Sequence, residues 1–378
     1  MSVAAEQGAA PAPVDDARFM RLAFTLGRRN LGHAWPNPAV GAVIVKDGVI
    51  VGRGWTQAGG RPHAEVEALR RAKKAAQNTL IGATMYVTLE PCSHQGQTPP
   101  CTDAIIRAGI ARVVSALEDP NPEVAGKGHA RLRAKGIAVE VGLGAEEARR
   151  VHAGHIMRVT QGRPHVLLKL AVSADGKAGL AGREPAAITG EAAWTRVFQM
   201  RASSDAIMVG IGTVLSDNPQ LTCRLPGMFD RSPVRVVLDA TLKLPLSTSL
   251  VATVRETPTW VFTSGRPSAI AEEILQHKGC KVFRVGETNG KLDLAEVLKV
   301  LGQQGITRLM VEGGPKLAGS LAAAGLVDEL ALLRGEKTIG EGGIDPLEGL
   351  PLDGFTGQLQ AHGREKLGPD VLETYERA

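Results

Sequence analysis

Aromatic residues are scarce: Trp, Tyr and Phe make up 3% of the 378 residues. That is too few for a surface that stacks successive bases, so a single-stranded nucleic-acid platform is not expected. Long apolar runs are missing as well; no stretch reaches the ~18 residues that a membrane-spanning helix needs. Cysteine is confined to Cys92, Cys101, Cys223 and Cys280. Four in a chain of this length do not make a disulfide framework, and a close pair in a reducing cytosol points to a metal. There is no strong excess of one charge: 44 Lys+Arg against 39 Asp+Glu give +5, which suits a phosphorylated small molecule as well as a polyanion. Residues 1–15 lack a basic start and an apolar stretch, and read as a disordered Ala/Pro tail rather than a signal peptide. The expectation is a cytoplasmic protein with no membrane and no nucleic-acid partner, compatible with a homo-oligomer.

The length is that of two or three domains, and 43% hydrophobic with 22% charged residues is an ordinary globular balance. Residues 17–29 have helical spacing. Residues 40–45 (VGAVIV) and 49–52 flank Asp47-Gly48, a hairpin signal. A helix over 63–76, strands over 84–89, 111–116 and 138–141, and a short helix over 102–108 complete an α/β domain over 16–150. Residues 144–158 read as one charged helix, and the break at Gln161-Gly162-Arg163-Pro164 sets a linker over 151–163. From 164 to 378 a second α/β domain is expected, with strands over 165–172, 206–210, 234–239, 259–263, 280–285 and 308–311 and helices over 269–277 and 294–301.

Chemistry concentrates in two segments of the first half. Pro62-His63-Ala64-Glu65 opens a helix, and Glu90-Pro91-Cys92 follows a strand and runs to Cys101 at the next helix. One imidazole and two thiolates make a three-ligand zinc site with an open position, the arrangement of catalytic zinc. A water there has its pKa lowered towards ~7. Glu65 is placed to take that water's proton and deliver it to a leaving amine. H-x-E with a later P-C…C pair is the pattern of zinc nucleobase deaminases, although here eight residues rather than two separate the cysteines. A structural zinc with His94 as fourth ligand, and cysteines that bind no metal, are the alternatives.

With this pattern, the entry Pro36-Asn37-Pro38-Ala39-Val40-Gly41 and the long cysteine spacing, the first half resembles the deaminase half of a bifunctional riboflavin-biosynthesis family. The resemblance implies a cytidine-deaminase-like three-layer domain in which His63, Cys92 and Cys101 hold Zn2+, Glu65 shuttles the proton and Asn37 lines the pyrimidine pocket. Gln97 stands where that family usually has a basic residue.

In the second half, Gly210-Ile211-Gly212-Thr213 and Glu312-Gly313-Gly314-Pro315 are glycine turns after strands. They suit either a nucleotide phosphate or ordinary strand-to-helix connections. Residues 168–177 (LKLAVSADGK), 188–189, 213–219 (TVLSDNP), 221–224 (LTCR), 311–315 and 325–330, with Arg201, are similar to the reductase half of the same family. This implies a dihydrofolate-reductase-like fold. Ala171, Thr213, Asp217, Gly314, Pro315, Lys316, Leu317, Ala318, Gly319 and Ser320 would contact NADPH; Arg201, Leu221, Arg224 and Glu312 would contact a phosphorylated pyrimidine. Pro185, Ala187, Ala240 and Arg334-Gly335-Glu336-Lys337 depart from the family pattern. The implied function is deamination of 2,5-diamino-6-ribosylamino-4(3H)-pyrimidinone 5′-phosphate, then reduction of its ribosyl group to ribityl. The alternatives are a monofunctional zinc nucleobase deaminase with a degenerate C-terminal module, a deaminase acting on nucleic acid, or a non-catalytic protein with structural zinc.

Overall fold

The computed structural model describes residues 15–75, 80–122, 124–180, 188–265 and 267–377. The expected tail lies outside these, apart from Asp15, which is no tail residue: its carboxylate caps the first helix, accepting from the Arg18 N–H at 3.0 Å. The chain forms two compact units. One comprises residues 15–29, Ala39–Thr56 and Pro62–Val151; the other comprises Asn30–Pro38, Gln57–Arg61 and the chain from His152 onward. The first unit is therefore not the single continuous segment 16–150 that the sequence suggested.

In order, the first unit contains α1 (Asp16–Arg28), β1 (Gly41–Lys46), β2 (Val49–Trp55), α2 (Ala64–Ala75), β3 (Thr84–Val87), α3 (Cys101–Arg107), β4 (Arg112–Ser115), α4 (Lys127–Arg133), β5 (Ala138–Val141) and α5 (Ala145–Val151). Its sheet runs β2-β1-β3-β4-β5, antiparallel through β2, β1 and β3 and parallel through β3, β4 and β5. Strand alternation divides the core in two. Ala42, Ile44, Met85 and Val87 pack with Ala64, Ala68 and Ile105 on one face. Val43, Val45 and Tyr86 pack with Phe19, Phe24 and Ala148 on the other. This is the three-layer arrangement. Gly54 sets how closely α2 lies on the sheet, because a Cβ there would stand 2.1 Å from the Ala64 carbonyl oxygen.

The second unit contains α6 (Ala153–Gln161), β6 (His165–Val172), α7 (Glu191–Ala202), β7 (Ala206–Gly210), α8 (Ile211–Asp217), β8 (Val234–Leu238), α9 (Ser249–Ala252), β9 (Thr259–Thr263), α10 (Ala269–Lys278), β10 (Lys281–Arg284), β11 (Glu287–Thr288), β12 (Lys291–Leu292), α11 (Leu294–Gln303), β13 (Arg308–Val311), α12 (Pro315–Ala323), β14 (Glu329–Arg334), α13 (Leu352–Thr356), β15 (Gln360–Leu367) and β16 (Asp370–Glu376). A nine-stranded sheet has the order β10-β9-β8-β7-β13-β6-β14-β16-β15. It is parallel from β10 to β14 and closed by the antiparallel β16 and β15. The single helix expected over 144–158 is two, α5 and α6, parted at His152. Much of the expected linker is thus helical, with Gly154 against the Thr307 backbone. Among the described residues no helix is long and apolar enough to cross a membrane.

Candidate active sites

In the first unit His63 precedes α2, Cys92 lies in the loop after β3 and Cys101 begins α3. The structure brings them together. His63 Nδ1 lies 3.3 Å from Cys101 Sγ and 3.6 Å from Cys92 Sγ, and the Cys101 N–H donates to Cys92 Sγ at 3.3 Å. All three potential ligand atoms lie within 4.8 Å of one another. The hydrogen bond from Cys101 holds the Cys92 thiol down at about 4, while the same contact, with burial, pushes Cys101 up. Two thiols sharing one proton beside an imidazole nitrogen fit a divalent ion of zinc's softness, which takes that proton's place. No fourth His, Cys, Asp or Glu joins the cluster among the described residues, and His94 is exposed. The geometry therefore gives no support to structural zinc closed by His94. Glu65, in the first turn of α2, is 4% exposed, and burial raises its carboxyl pKa against the opposing charge of His63. Gln97 is in an exposed loop. Asn37 belongs to the second unit, where its amide donates to the Gly60 carbonyl at 2.9 Å.

Sequence reasoning missed the residue that shapes the cysteine loop. The Glu90 carboxylate accepts from the backbone N–H groups of Asp119 (3.1 Å), Gly126 (3.0 Å), Gly128 (2.7 Å) and His129 (3.2 Å). One side chain thereby ties the loop carrying Cys92 to the segment after β4.

The second unit carries an open cavity of about 1290 Å³, larger than the roughly 300–1,000 Å³ of drug-sized sites and ample for a dinucleotide. Ala171, Thr213, Asp217, Gly314, Pro315, Lys316, Leu317 and Ser320 line it. Ala318 and Gly319 do not. The helical turn of α12 carries Ala318 into the core, fully buried, and sets Gly319 against Glu348, whose carbonyl oxygen would lie 2.5 Å from a Cβ. Ala240 lines the cavity without a hydroxyl to offer. Arg334 pairs with Glu373 at 2.9 Å. Pro185 and Ala187 lie outside the described residues.

Of the residues expected to meet substrate, Arg201, Arg224 and Glu312 form a charge cluster. Arg201 grips Glu312 through two hydrogen bonds, Nε to Oε1 at 2.7 Å and Nη2 to Oε2 at 2.9 Å, and Nη1 donates to the Thr222 carbonyl at 3.0 Å. Burial raises the Glu312 pKa, but the Arg201 charge and hydrogen bonds outweigh it and hold it low. Arg224 stacks on Phe198, 4.9 Å from the ring centre. Leu221 is buried in the core, a packing position rather than a contact surface. Lys169, hidden in an apolar strand run and so not singled out from sequence, lines the cavity. Burial lowers its ammonium pKa, opposed by Glu312.

Comparison with known proteins finds a family match in each half of the chain. Residues 13–117 match the cytidine and deoxycytidylate deaminase zinc-binding region, and residues 164–372 match the RibD C-terminal domain. The riboflavin biosynthesis protein RibD of Escherichia coli strain K12 is 41% identical over 371 residues, covering 95% of this chain and 98% of that one. That of Aquifex aeolicus is 43% identical over 334 residues, covering 86% and 88%. The chain belongs to the RibD family. The Acinetobacter baumannii RibD structure (form 1) superposes with a TM-score of 0.84 at 33% identity, covering 96% of this chain and 99% of that one. A deaminase/reductase structure from Thermotoga maritima gives 0.83 at 34%, with the same coverage. The chain is thus a bifunctional enzyme of riboflavin biosynthesis, a zinc-dependent pyrimidine deaminase joined to an NADPH-dependent reductase. It acts on a small molecule; the monofunctional reading is not favoured.

Proposed function

We propose the following division of labour among the residues. His63, Cys92 and Cys101 hold zinc, and the observation that carries this is the convergence of their three donor atoms beside buried Glu65. Bound there, zinc would supply a Lewis acid that makes water a nucleophile near neutral pH. Glu65 takes the proton from the attacking water and returns it to the departing amino nitrogen, so that ammonia leaves. A carboxyl whose pKa is raised by burial is matched to both halves of that transfer.

In the second unit the turns at Thr213 and Gly314, with Asp217, Pro315, Lys316, Leu317 and Ser320, hold the dinucleotide. Bound there, the reduced dinucleotide would supply hydride for C1′ of the ribosyl group, and the ring oxygen must gain a proton as the C1′–O bond breaks and the ring opens. Lys169 supplies it: it is in the cavity, and a lowered ammonium pKa eases proton release. Glu312 sets the field at Lys169, Arg201 fixes Glu312, and Arg224 meets the substrate phosphate. We place the division between the activities at 151–163. We also propose a cytoplasmic enzyme, in keeping with its four free cysteines; the reading needs no second protein and is compatible with a homo-oligomer.

The test is Glu65→Gln. Metal analysis should still find about one zinc per chain, while ammonia release should fall by roughly 10²–10⁴ and substrate-dependent NADPH oxidation should persist when the deaminated intermediate is supplied. Normal ammonia release by the variant refutes the proton-shuttle assignment.

A further inference from the structure

Helix α7 has two faces with different occupations. Ala193, Val197 and Met200 pack into the core. Trp194, Phe198 and Arg201, spaced i, i+4 and i+7, form the other stripe. Trp194 lines the reductase cavity and is 40% exposed. Its ring centre is 6.0 Å from that of Phe198, on which the guanidinium groups of Arg201 and Arg224 stack at 5.4 and 4.9 Å. Lys169 Nζ lies 5.8 Å from the Trp194 ring centre. An indole that lines a cavity, with one cation over its ring and two more one ring away, is a platform for a flat heterocycle bearing an anionic arm.

Sheet order says which heterocycle. The turns assigned to the dinucleotide follow β7 and β13, and Ala240 follows β8; all three strands lie on one side of β6. Helix α7 packs over Met310 of β13, Ala331 and Leu333 of β14 and Leu372 of β16, reaching to the other side. We propose that Trp194 is a positioning residue of the reductase, its indole face stacking the pyrimidine ring of the ribosylaminouracil substrate beside Lys169. This rests on the reductase reading above. Trp194 fixes the ring while the phosphate arm reaches Arg224, so the sugar between them is presented for reduction.

The experiment uses the full chain with Trp194→Ala and Trp194→Phe. It reads steady-state reduction of the deaminated substrate, isothermal titration with NADP+ and with the ribityl product, and ammonia release. Trp194→Ala should raise KM for the substrate and Kd for the product roughly tenfold, the scale of base–aromatic stacking, with kcat little changed. Kd for NADP+ and ammonia release should stay as in the parent, and Trp194→Phe should recover most of the loss. A rise in the NADP+ Kd with an unchanged product Kd places the nicotinamide on the indole and overturns the proposal. Unchanged product binding in the Ala variant, or a loss that Phe does not restore, overturns it too. A parent chain that does not oxidise NADPH with the substrate instead refutes the reductase reading itself.

Discussion

Arg201→Met separates a substrate ligand from a clasp. The Arg201 and Glu312 side chains are 6% and 9% exposed and meet through two short hydrogen bonds. Removing the guanidinium leaves a desolvated carboxylate and an unmet Thr222 carbonyl. Breaking such a pair from one side costs about 3–5 kcal/mol, and Lys169, whose charge Glu312 still feels, draws the cost towards the lower end. At roughly 2–4 °C per kcal/mol for a unit of this size, the transition of the reductase half should fall by roughly 6–20 °C. Calorimetry identifies that transition as the one NADPH shifts upward. The double substitution Arg201→Met with Glu312→Leu removes both charges and should recover much of the loss, while reduction should be lost because Lys169 no longer has its carboxylate. If Arg201→Met leaves the transition in place and only raises the substrate KM, the pair is no clasp and Arg201 is a direct ligand.

Two further outcomes follow from the packing. His165 is buried, and desolvation, with the Arg308 charge, holds its pKa down at about 3 against the pull of Asp328. The folded imidazole stays neutral while the unfolded one takes a proton below ~6.5, so stability is full above that pH and falls as pH drops towards 3. The loss through this group is about 2 kcal/mol by pH 5, and urea titrations of His165→Phe should show a stability loss between pH 7 and 5 smaller by that amount; an equal loss refutes the assignment. Gly54→Ala drives a Cβ to 2.1 Å from the Ala64 carbonyl oxygen and 2.4 Å from the Ala68 nitrogen, both backbone atoms of α2. It should cost about 3 kcal/mol, the upper end for overpacking, and lower zinc retention on dialysis against chelator, because α2 carries Glu65 and follows His63.

What could be read from sequence is what local periodicity or chemical type announces. β6 was readable because HVLLKLAV is a nearly continuous apolar run of strand length, and the His63, Glu65, Cys92 and Cys101 set because thiol and imidazole are rare and their spacing is constrained. The hairpin of β15 and β16 was not: β15 is exposed at every position but its last, so QAHGREKL has no alternation to show and is a strand only because β16 pairs with it. Glu90 was hidden for another reason. Its partners are backbone N–H groups 29 to 39 positions away, and a backbone donor leaves no mark in composition. Carrying the contiguous stretch Gly314 to Ser320 onto one ligand ignored the helix: each residue of α12 turns about 100° from the last, and Ala318 and Gly319 face inward for that reason.

The two chemistries share one structural logic, which explains why their key residues sit where they do. Most of the functional positions follow strands with a parallel neighbour rather than lying within them: Cys92 after β3, Thr213 after β7, Ala240 after β8, Glu312 and Gly314 after β13, while His63 and Glu65 follow the antiparallel β2. Strand interiors are committed to the core and can spare few polar side chains, whereas the turns at the ends of parallel strands converge on one edge of the sheet, where ligands bind in such folds. Lys169 is the exception, a cation inside β6. A strand position fixes its ammonium more firmly than a loop would, at the cost of desolvating it, and the lowered pKa that results is the property proton delivery requires. Glu312 limits that lowering, and Arg201 limits how negative Glu312 looks to Lys169. The three form a graded set whose balance, rather than any single member, sets the proton affinity at the point where hydride arrives.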